Sequence, residues 1–404
     1  MNMKKYLFPL LAVVCTLAFC TACSDDDDDK IVSPIQETIS YADSNGLALT
    51  YNGKQLIGKM VTFVPDATQA DKATLTLSGN FDLSSVMTRE DLPVIGLGAG
   101  PGVLPGTAEL TIPVTLKIVG DECSFQGSAE SDYCTFNYSG RASKSALQLD
   151  LTEVALKNNR LANTIWTPAP YDKEGYTQEP IHIVWEAAKG IELFPGYEMP
   201  LQTLLSLIIR MPLIEAEGDQ ELSVNEMLNY VLRTVSFGAD GNIGASYVDV
   251  AKGGTSALDA PYGVAQYVVL DDTHLKVFLN PTMIAAIAKQ NAAATRSSLE
   301  TVIAQLIPTV ANLLTNGVPL EYRLSSQSME VFLNTELLLP LLKAVASLLQ
   351  DPELMATLVE QIKSDPDMAD MADTIIGALQ SLPAAIDSTT KIEVGLNLAE
   401  LRVN

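Results

Sequence analysis

The sequence predicts a mainly β protein with inserted helices (α+β), and three observations support this. Alternating apolar and polar residues, typical of half-buried strands, recur from Ala48 to about Leu156. Similar runs return in the C-terminal half, between apolar stretches with helical spacing. Turn dipeptides such as Asn52-Gly53 separate the runs. We expect an antiparallel β-sandwich or barrel in the N-terminal half, and a second antiparallel sheet with helical insertions in the C-terminal half.

Residues 1–22 have the features of a secretory signal peptide. A short basic start precedes an apolar run from Tyr6 to Phe19, which is shorter than the ~20 residues of a membrane-spanning helix. The following CTAC, residues 20–23, resembles the lipobox of bacterial lipoproteins. That resemblance implies that Cys23 carries a lipid and begins the mature chain. Because Cys20 leaves with the signal, a Cys-x-x-Cys redox site is excluded.

The segment 23–36 is predicted to be a lipidated acidic tether. Like charges keep its aspartate run extended and solvated, and the run lacks the alternate spacing and glycine of a calcium loop. Its residues are Ser24, Asp25, Asp26, Asp27, Asp28 and Asp29. They resemble the export signal that Bacteroides-type lipoproteins carry after the lipidated cysteine. This implies an outer-membrane protein that faces the cell exterior.

The amino-acid composition limits the classes of partner that this protein can bind. The chain has 25 Lys and Arg against 49 Asp and Glu, a formal net charge of −24. Such a surface repels nucleic acid and anionic head groups, so we expect no nucleic-acid partner and attachment only through the lipid on Cys23. A hydrophobic content of 47% excludes disorder. The length indicates two domains or one large one, and the sequence predicts no oligomeric state.

The predicted domains are an N-terminal β domain at 37–165 and a β-sheet domain with apolar helices at 181–404. Between them, the proline- and glycine-rich segment 166–180 is predicted to be a linker.

The N-terminal domain holds two cysteines, Cys123 and Cys134. Outside the cytoplasm they could form a disulfide worth about 3 kcal/mol in the chain-entropy model. A hairpin turn at Ser128-Ala129 places the two cysteines opposite each other. A turn centred one residue later pairs the apolar faces and staggers the cysteines, so the sequence leaves the disulfide open.

The C-terminal half predicts strands joined by apolar helices. KIEVGLNL places four apolar residues on one face: Ile392, Val394, Leu396 and Leu398. LKVFLNPTMI and MEVFLNTELL echo each other, and Asn280 and Asn334 could each cap a following helix. We interpret the echo as one strand-to-helix turn used twice rather than as a duplicated ligand site. Pro308 is expected to kink or break its helix, and Asp351 to cap the next.

Six segments carry a shared pattern of hairpin and packing residues: YNGKQLIGKMVTFVPD, KATLTLSG, VLPG, CTFNYSG, HIVWE and FGADGNIGASY. Together they resemble a family of Bacteroides cell-surface lipoproteins of similar length, to which no biochemical function is assigned. The resemblance spans most of the mature chain. It implies a calycin-like (lipocalin-related) barrel and supplies no functional residue.

The sequence predicts no catalytic, cofactor-binding or metal-binding residue. Its two histidines, His182 and His274, are best explained as a buried strand residue and a turn residue. GLGAGPG, 96–102, lacks the glycine spacing and the helix of a dinucleotide site. Glu186 in HIVWEAAKG is the one carboxylate singled out for a glycosidase-like pair.

The apolar helices leave two alternatives. Leu204, Leu205, Leu207, Ile208 and Ile209, and the run from Leu337 to Leu349, exceed a narrow apolar stripe. They either pack as core or enclose an apolar cleft with the sheet. The leading hypothesis is a non-enzymatic surface lipoprotein that binds a glycan or an apolar small molecule. The alternatives are a surface hydrolase acting on polysaccharide or lipid, and a structural or adhesive subunit.

Overall fold

The computed structural model describes residues 32–81, 100–194, 196–216, 220–250, 254–284, 312–364 and 371–401. It confirms the predicted fold class, since strands dominate and helices are inserted in the C-terminal half. The N-terminal strands are β1 (Ile39–Ala42), β2 (Leu47–Tyr51), β3 (Lys54–Gln55), β4 (Lys59–Pro65), β5 (Lys72–Gly79), β6 (Glu109–Thr115), β7 (Lys117–Val119), β8 (Glu122–Glu130), β9 (Cys134–Ala142) and β10 (Leu147–Leu156).

The later strands are β11 (Thr164–Pro168), β12 (Ile181–Ala187), β13 (Ile191–Phe194), β14 (Tyr197–Met199), β15 (Ile214–Ala216), β16 (Gln220–Leu222), β17 (Leu232–Phe237), β18 (Asn242–Val248), β19 (Ala257–Asp259), β20 (Ala265–Val269), β21 (His274–Leu279), β22 (Val318–Leu324), β23 (Ser328–Leu333) and β24 (Thr389–Glu400). The helices are α1 (Leu201–Arg210), α2 (Val224–Val231), α3 (Thr335–Leu349), α4 (Pro352–Ser364) and α5 (Ala372–Asp387).

A sandwich and a barrel are the two alternatives predicted for the N-terminal half, and the structure shows a sandwich. One sheet has the order β1-β4-β5-β6 and the other β3-β2-β10-β9-β8-β7. The pairing is antiparallel except between β2 and β10, which run parallel. Buried residues alternate along β5 and β9, and the inner faces of both sheets share one apolar core.

The C-terminal half closes into an eight-stranded antiparallel barrel of order β11-β17-β18-β20-β21-β22-β23-β24. Closure occurs where Trp166 and Pro168 of β11 pair with Glu400 and Leu398 of β24. β12 continues along β24 beyond this contact. The predicted linker 166–180 therefore begins inside a barrel strand.

The connections give the barrel two different ends. At the hairpin end, tight turns at 238–241, 270–273 and 325–327 join neighbouring strands. At the helix end, α2 leads into β17, α3 follows β23 and α5 leads into β24. Helical segments at 281–284 and 312–316 also adjoin strands at this end. The helices therefore gather around one opening of the barrel.

The predicted helix starts are confirmed. Asn280 Oδ1 accepts from Met283 N at 3.3 Å, and Asn334 Oδ1 accepts from Leu337 N at 3.2 Å. The echoed sequence is thus one strand-to-helix turn used twice. Asp351 caps α4 by accepting from the backbone at 2.8 and 3.0 Å. Pro308 lies outside the described residues.

The sandwich contacts the barrel through two turns, the one at Asn52 and the one at Asp240. Tyr51 Oη donates to Asp240 O at 2.6 Å, and Asn52 Nδ2 donates to Asp240 Oδ2 at 3.4 Å. Phe278, on the outer face of the barrel, belongs to the same apolar core as the sandwich residues. The YNG and ADG segments therefore form part of this interface.

Candidate functional site

The barrel interior is tightly packed toward the hairpin end. Its side chains there are at most 5% exposed: Trp166, Phe237, Tyr267, Tyr322, Met329 and Leu398. Tyr267 Oη donates to Gly238 O at 3.0 Å, and Tyr322 Oη donates to Asp271 O at 2.9 Å. The rings of Phe237 and Tyr267 meet edge to face, with centroids 4.9 Å apart. We call this region the packed half of the barrel.

Nearer the helix end, Ile392 is buried, but most interior side chains are apolar and partly accessible. Strand register places them on the same face as Tyr322 and Leu398. They are Val235, Ala245, Val277, Leu279, Leu320, Val331, Leu333, Val394 and Leu396. Solvent reaches these side chains, so the interior at this end is less tightly filled than the packed half. We call this set the open half of the barrel; an interior of eight strands has room for one small ligand.

Helix α3 adds apolar surface at the rim of the open half. Its first residue, Thr335, donates through Oγ1 to Ile392 O at 3.1 Å and accepts from Ile392 N at 2.9 Å. Within α3 only Ala346 is buried, and the leucines are half-buried. Of the two alternatives left by the sequence, partial burial favours an apolar cleft over a dry core for this helix.

Strand β12 extends the rim on the other side of β24. Ile183 pairs with Val394, so both face the open half. Gln202 of α1 covers the outer edge of β12: Trp185 N donates to Gln202 Oε1 at 2.6 Å, and Gln202 Nε2 donates to Ile183 O at 3.1 Å. Covering an edge strand in this way prevents further strand pairing and fixes α1 beside the rim.

A buried carboxylate lies on the outer face of the same wall. Glu393 is 5% exposed. It accepts from Arg323 Nη2 at 2.7 Å and pairs with Lys391 Nζ at 3.2 Å, and His182 Nε2 lies 2.9 Å from its Oε2. Burial alone raises the pKa of Glu393, but these hydrogen bonds outweigh it and hold the pKa at about 2.

An aromatic stack covers this carboxylate. The ring of Phe332 lies 5.0 Å from that of His182, and the guanidinium of Arg323 lies 4.3 Å from the Phe332 centroid. Any side chain at Gly395 would collide with the carbonyl of Val331 and the backbone of Phe332. The glycine therefore allows the stack to lie flat on the strand. The cluster ties β12, β22, β23 and β24 together and stiffens the wall behind the open half.

The other residues singled out from the sequence do not join this cluster. His274 begins β21 at the hairpin end, directly after the turn, with Nδ1 2.9 Å from Asp271 Oδ1. Glu186 is exposed on β12 and pairs in register with Lys391. The strand position expected of His182 is confirmed, although the residue is only partly buried, and His274 directly follows its turn.

The sequence analysis missed a buried lysine in the sandwich. Lys59 is 1% exposed, and its Nζ donates to Pro101 O and Gly102 O, each at 2.9 Å. Burial lowers the pKa of Lys59 to about 7, opposed by the charge of Asp43. The described end of the GLGAGPG segment is thus anchored to the core; residues 96–99 lie outside the described residues.

Cys123 and Cys134 are both buried and unbonded. Cys123 pairs in register with Ala142, whereas Cys134 pairs with Leu156. Neither hairpin turn considered from the sequence is correct. The chain turns later, where Ser131 Oγ accepts from Cys134 N at 3.1 Å.

The residues predicted to carry the lipid and the export signal lie outside the described residues; they are Cys23, Ser24, Asp25, Asp26, Asp27, Asp28 and Asp29. Among the residues that are described, no group of three or more His, Cys, Asp or Glu could hold a metal ion, and no helix is long and apolar enough to cross a membrane. In comparisons with known proteins, no family model, no curated protein and no solved structure matches this chain.

Proposed function

We propose that this chain is a non-enzymatic ligand-binding protein that holds an apolar small molecule in the open half of the barrel. The observation that carries the proposal is the partial accessibility of side chains that face the barrel interior. Burying these apolar surfaces against a ligand provides a favourable free energy of about 25 cal/mol per Å². The half-buried leucines of α3 offer a second apolar surface at the rim.

The location belongs to the same proposal. Cys23 anchors the chain to the outer membrane through its lipid, and the run from Ser24 to Asp29 directs it to the outer face. The strong negative charge of −24 supports attachment by the lipid rather than by anionic head groups.

Native mass spectrometry of the full chain with Cys23→Ser, which cannot be acylated, tests the ligand. We expect a reproducible added mass that solvent extraction removes, and saturable binding of cis-parinaric acid to the extracted protein. A clean sequence mass together with no parinaric acid binding would contradict the proposal.

A matched pair of variants locates the ligand. Ala245 faces the open half, whereas its neighbour Ser246 faces outward, because side chains alternate along β18. Ala245→Phe fills the interior, so we expect it to weaken parinaric acid binding at least about tenfold. Ser246→Phe adds the same ring outside and should leave the affinity unchanged. Equal affinities for the two variants would place the ligand elsewhere.

Labelling with radioactive palmitate tests the location. The natural chain should incorporate the label and the Cys23→Ser variant should not. Protease added to intact cells should digest the natural chain but spare a variant with all five residues from Asp25 to Asp29 changed to Ala. Label retained by Cys23→Ser would refute the anchor.

A further inference from the structure

A second cavity lies outside the barrel, away from the open half. It is a groove of about 660 Å³ that crosses the outer face of β24 toward the hairpin end. Residues 169–170 and 177–179 form one wall, and the turn between β22 and β23 forms the other. This volume falls within the range of small-molecule sites, roughly 300–1,000 Å³.

The groove differs from an ordinary apolar pocket because half of the residues that line it carry an amide or a hydroxyl. Each wall presents an exposed glutamine, Gln178 on one side and Gln327 on the other, and Asn397 lies on the floor. A carboxamide both donates and accepts hydrogen bonds. These groups therefore match a ligand whose own groups do both, as hydroxyls do.

The charges at the groove are already neutralised. Glu179 pairs with Arg210 at 2.5 Å, and Glu330 pairs with Arg323 at 3.0 Å. Neither an acidic nor a basic ligand gains from such a lining.

Both walls are held in place without a ligand. Asp172 fixes the first, since Thr177 Oγ1 donates to Asp172 Oδ2 at 2.7 Å and Tyr176 N donates to Asp172 O at 3.0 Å. Asn397 Nδ2 joins this wall to the floor by donating to Glu179 O at 2.9 Å. In the second wall, Ser325 N donates to Ser328 O at 2.8 Å. A preformed groove reduces the entropic cost of binding.

From these observations we propose that the groove is a binding site for a neutral carbohydrate chain, separate from the apolar site in the barrel. Gln178 and Gln327 make the hydrogen bonds that recognise the sugar hydroxyls.

Calorimetric titration of the full chain with Cys23→Ser tests this. The probes are neutral linear hexasaccharides of β-1,4-glucose, α-1,4-glucose and β-1,4-mannose, with hexagalacturonate as the acidic counterpart. We expect at least one neutral hexasaccharide to bind and hexagalacturonate not to bind. Absence of binding by all three neutral probes, or tighter binding of hexagalacturonate, would overturn the proposal.

Variants of the two groove glutamines test whether the carbohydrate binds in the groove. Changing Gln178 and Gln327 together to Ala should weaken the binding of the neutral probe by about tenfold or more. Changing both to Glu keeps their shape but removes the amide donors, and should also weaken binding. Gln350→Ala, at an exposed glutamine after α3, is the control and should bind normally. Unchanged affinity in both glutamine variants would refute the assignment.

For this comparison, the urea midpoint of each variant must match that of the natural chain. We expect this match for the glutamine variants because both glutamines are exposed. Ala245→Phe separates the two sites. It should weaken parinaric acid binding at least about tenfold while leaving the hexasaccharide affinity unchanged.

Discussion

The sandwich and the barrel are built from the same alternating strands, yet they fill their interiors differently. In the sandwich, inner-face residues such as Phe63, Leu75 and Leu149 are at most 2% exposed. In the barrel, several interior apolar residues, such as Val394 and Leu396, remain partly accessible. Two sheets can approach until their side chains interdigitate. A closed barrel has a radius fixed by its strand number, so smaller side chains leave room inside.

The same substitution in the two interiors gives the largest expected contrast. Leu75→Ala in the sandwich opens a new cavity in a dry core and should lower the free energy of unfolding by about 3–5 kcal/mol. Leu396→Ala in the open half enlarges a space that already exists, so we expect about 1–2 kcal/mol. Urea unfolding measures both. Equal losses would mean that the two interiors are packed alike.

The two regions also differ in their buried charged residue, which is Glu393 on the barrel wall and Lys59 in the sandwich. Glu393→Gln weakens the contacts to Arg323, Lys391 and His182. Because two of these partners are largely solvated, we expect a loss of about 2 kcal/mol at pH 7.

The contribution of Glu393 to the free energy of unfolding should depend on pH. The pKa of Glu393 is lowered to about 2 in the folded chain from its usual 4.5, so its contribution is fully present above pH 4.5. It is lost as the pH falls toward 2. Urea unfolding of both chains across this range should show their stabilities converging. A constant difference down to pH 2 would contradict the buried ion cluster.

In the sandwich, burial disfavours the charged form of Lys59, whereas the partners of Glu393 favour its charged form. Lys59→Met leaves the carbonyls of Pro101 and Gly102 without their donor but removes a costly buried ammonium, so the expected net loss is about 1 kcal/mol at pH 7. The pKa of Lys59 is lowered to about 7 from 10.5.

Between pH 7 and 10.5 the unfolded chain therefore holds a proton that the folded chain lacks. The free energy of unfolding should rise with pH in this window, by at most about 1.4 kcal/mol per pH unit. Unfolding at pH 7, 8 and 9 should show this rise in the natural chain and a flatter profile in Lys59→Met. Identical slopes would show that Lys59 keeps its ordinary pKa.

Local features of the fold could be predicted from the sequence, because their signals lie within a few residues. Asn334 and Asp351 each cap a helix by accepting a hydrogen bond from the backbone N–H three residues ahead. The period of two along KIEVGLNL places four apolar residues on the interior face. The same period placed Lys59 beside Val61 and Phe63 on the inner face of β4, a signal that the sequence analysis overlooked.

The candidate sites depend on long-range pairings that no local pattern encodes. Barrel closure joins Trp166 to Glu400, and the buried carboxylate joins His182 to Glu393. The one local signal was Gly395, since a glycine inside a strand marks a close approach of other atoms. The groove requires the β22–β23 turn to lie beside residues 169–179, which only the finished barrel brings about.

The smallest expected effect concerns the two thiols of the sandwich, whose pairing the sequence left open. Cys123 and Cys134 are completely buried, and burial raises the pKa of both, that of Cys134 to about 12. Since the thiolate is the reactive form, iodoacetamide at pH 8 should modify neither in the folded chain and both in urea. Peptide mass mapping measures this.

A reducing agent should leave the thermal midpoint unchanged, because there is no bond to break. A lowered midpoint, or a Cys123–Cys134 peptide two daltons lighter than the pair of thiols, would mean that the β8–β9 hairpin pairs in another register. The partners of Phe125 and Phe136 across the sheet would then change with it. The inner face of this sheet would lose the alternation that keeps the sandwich dry, and with it the contrast to the barrel.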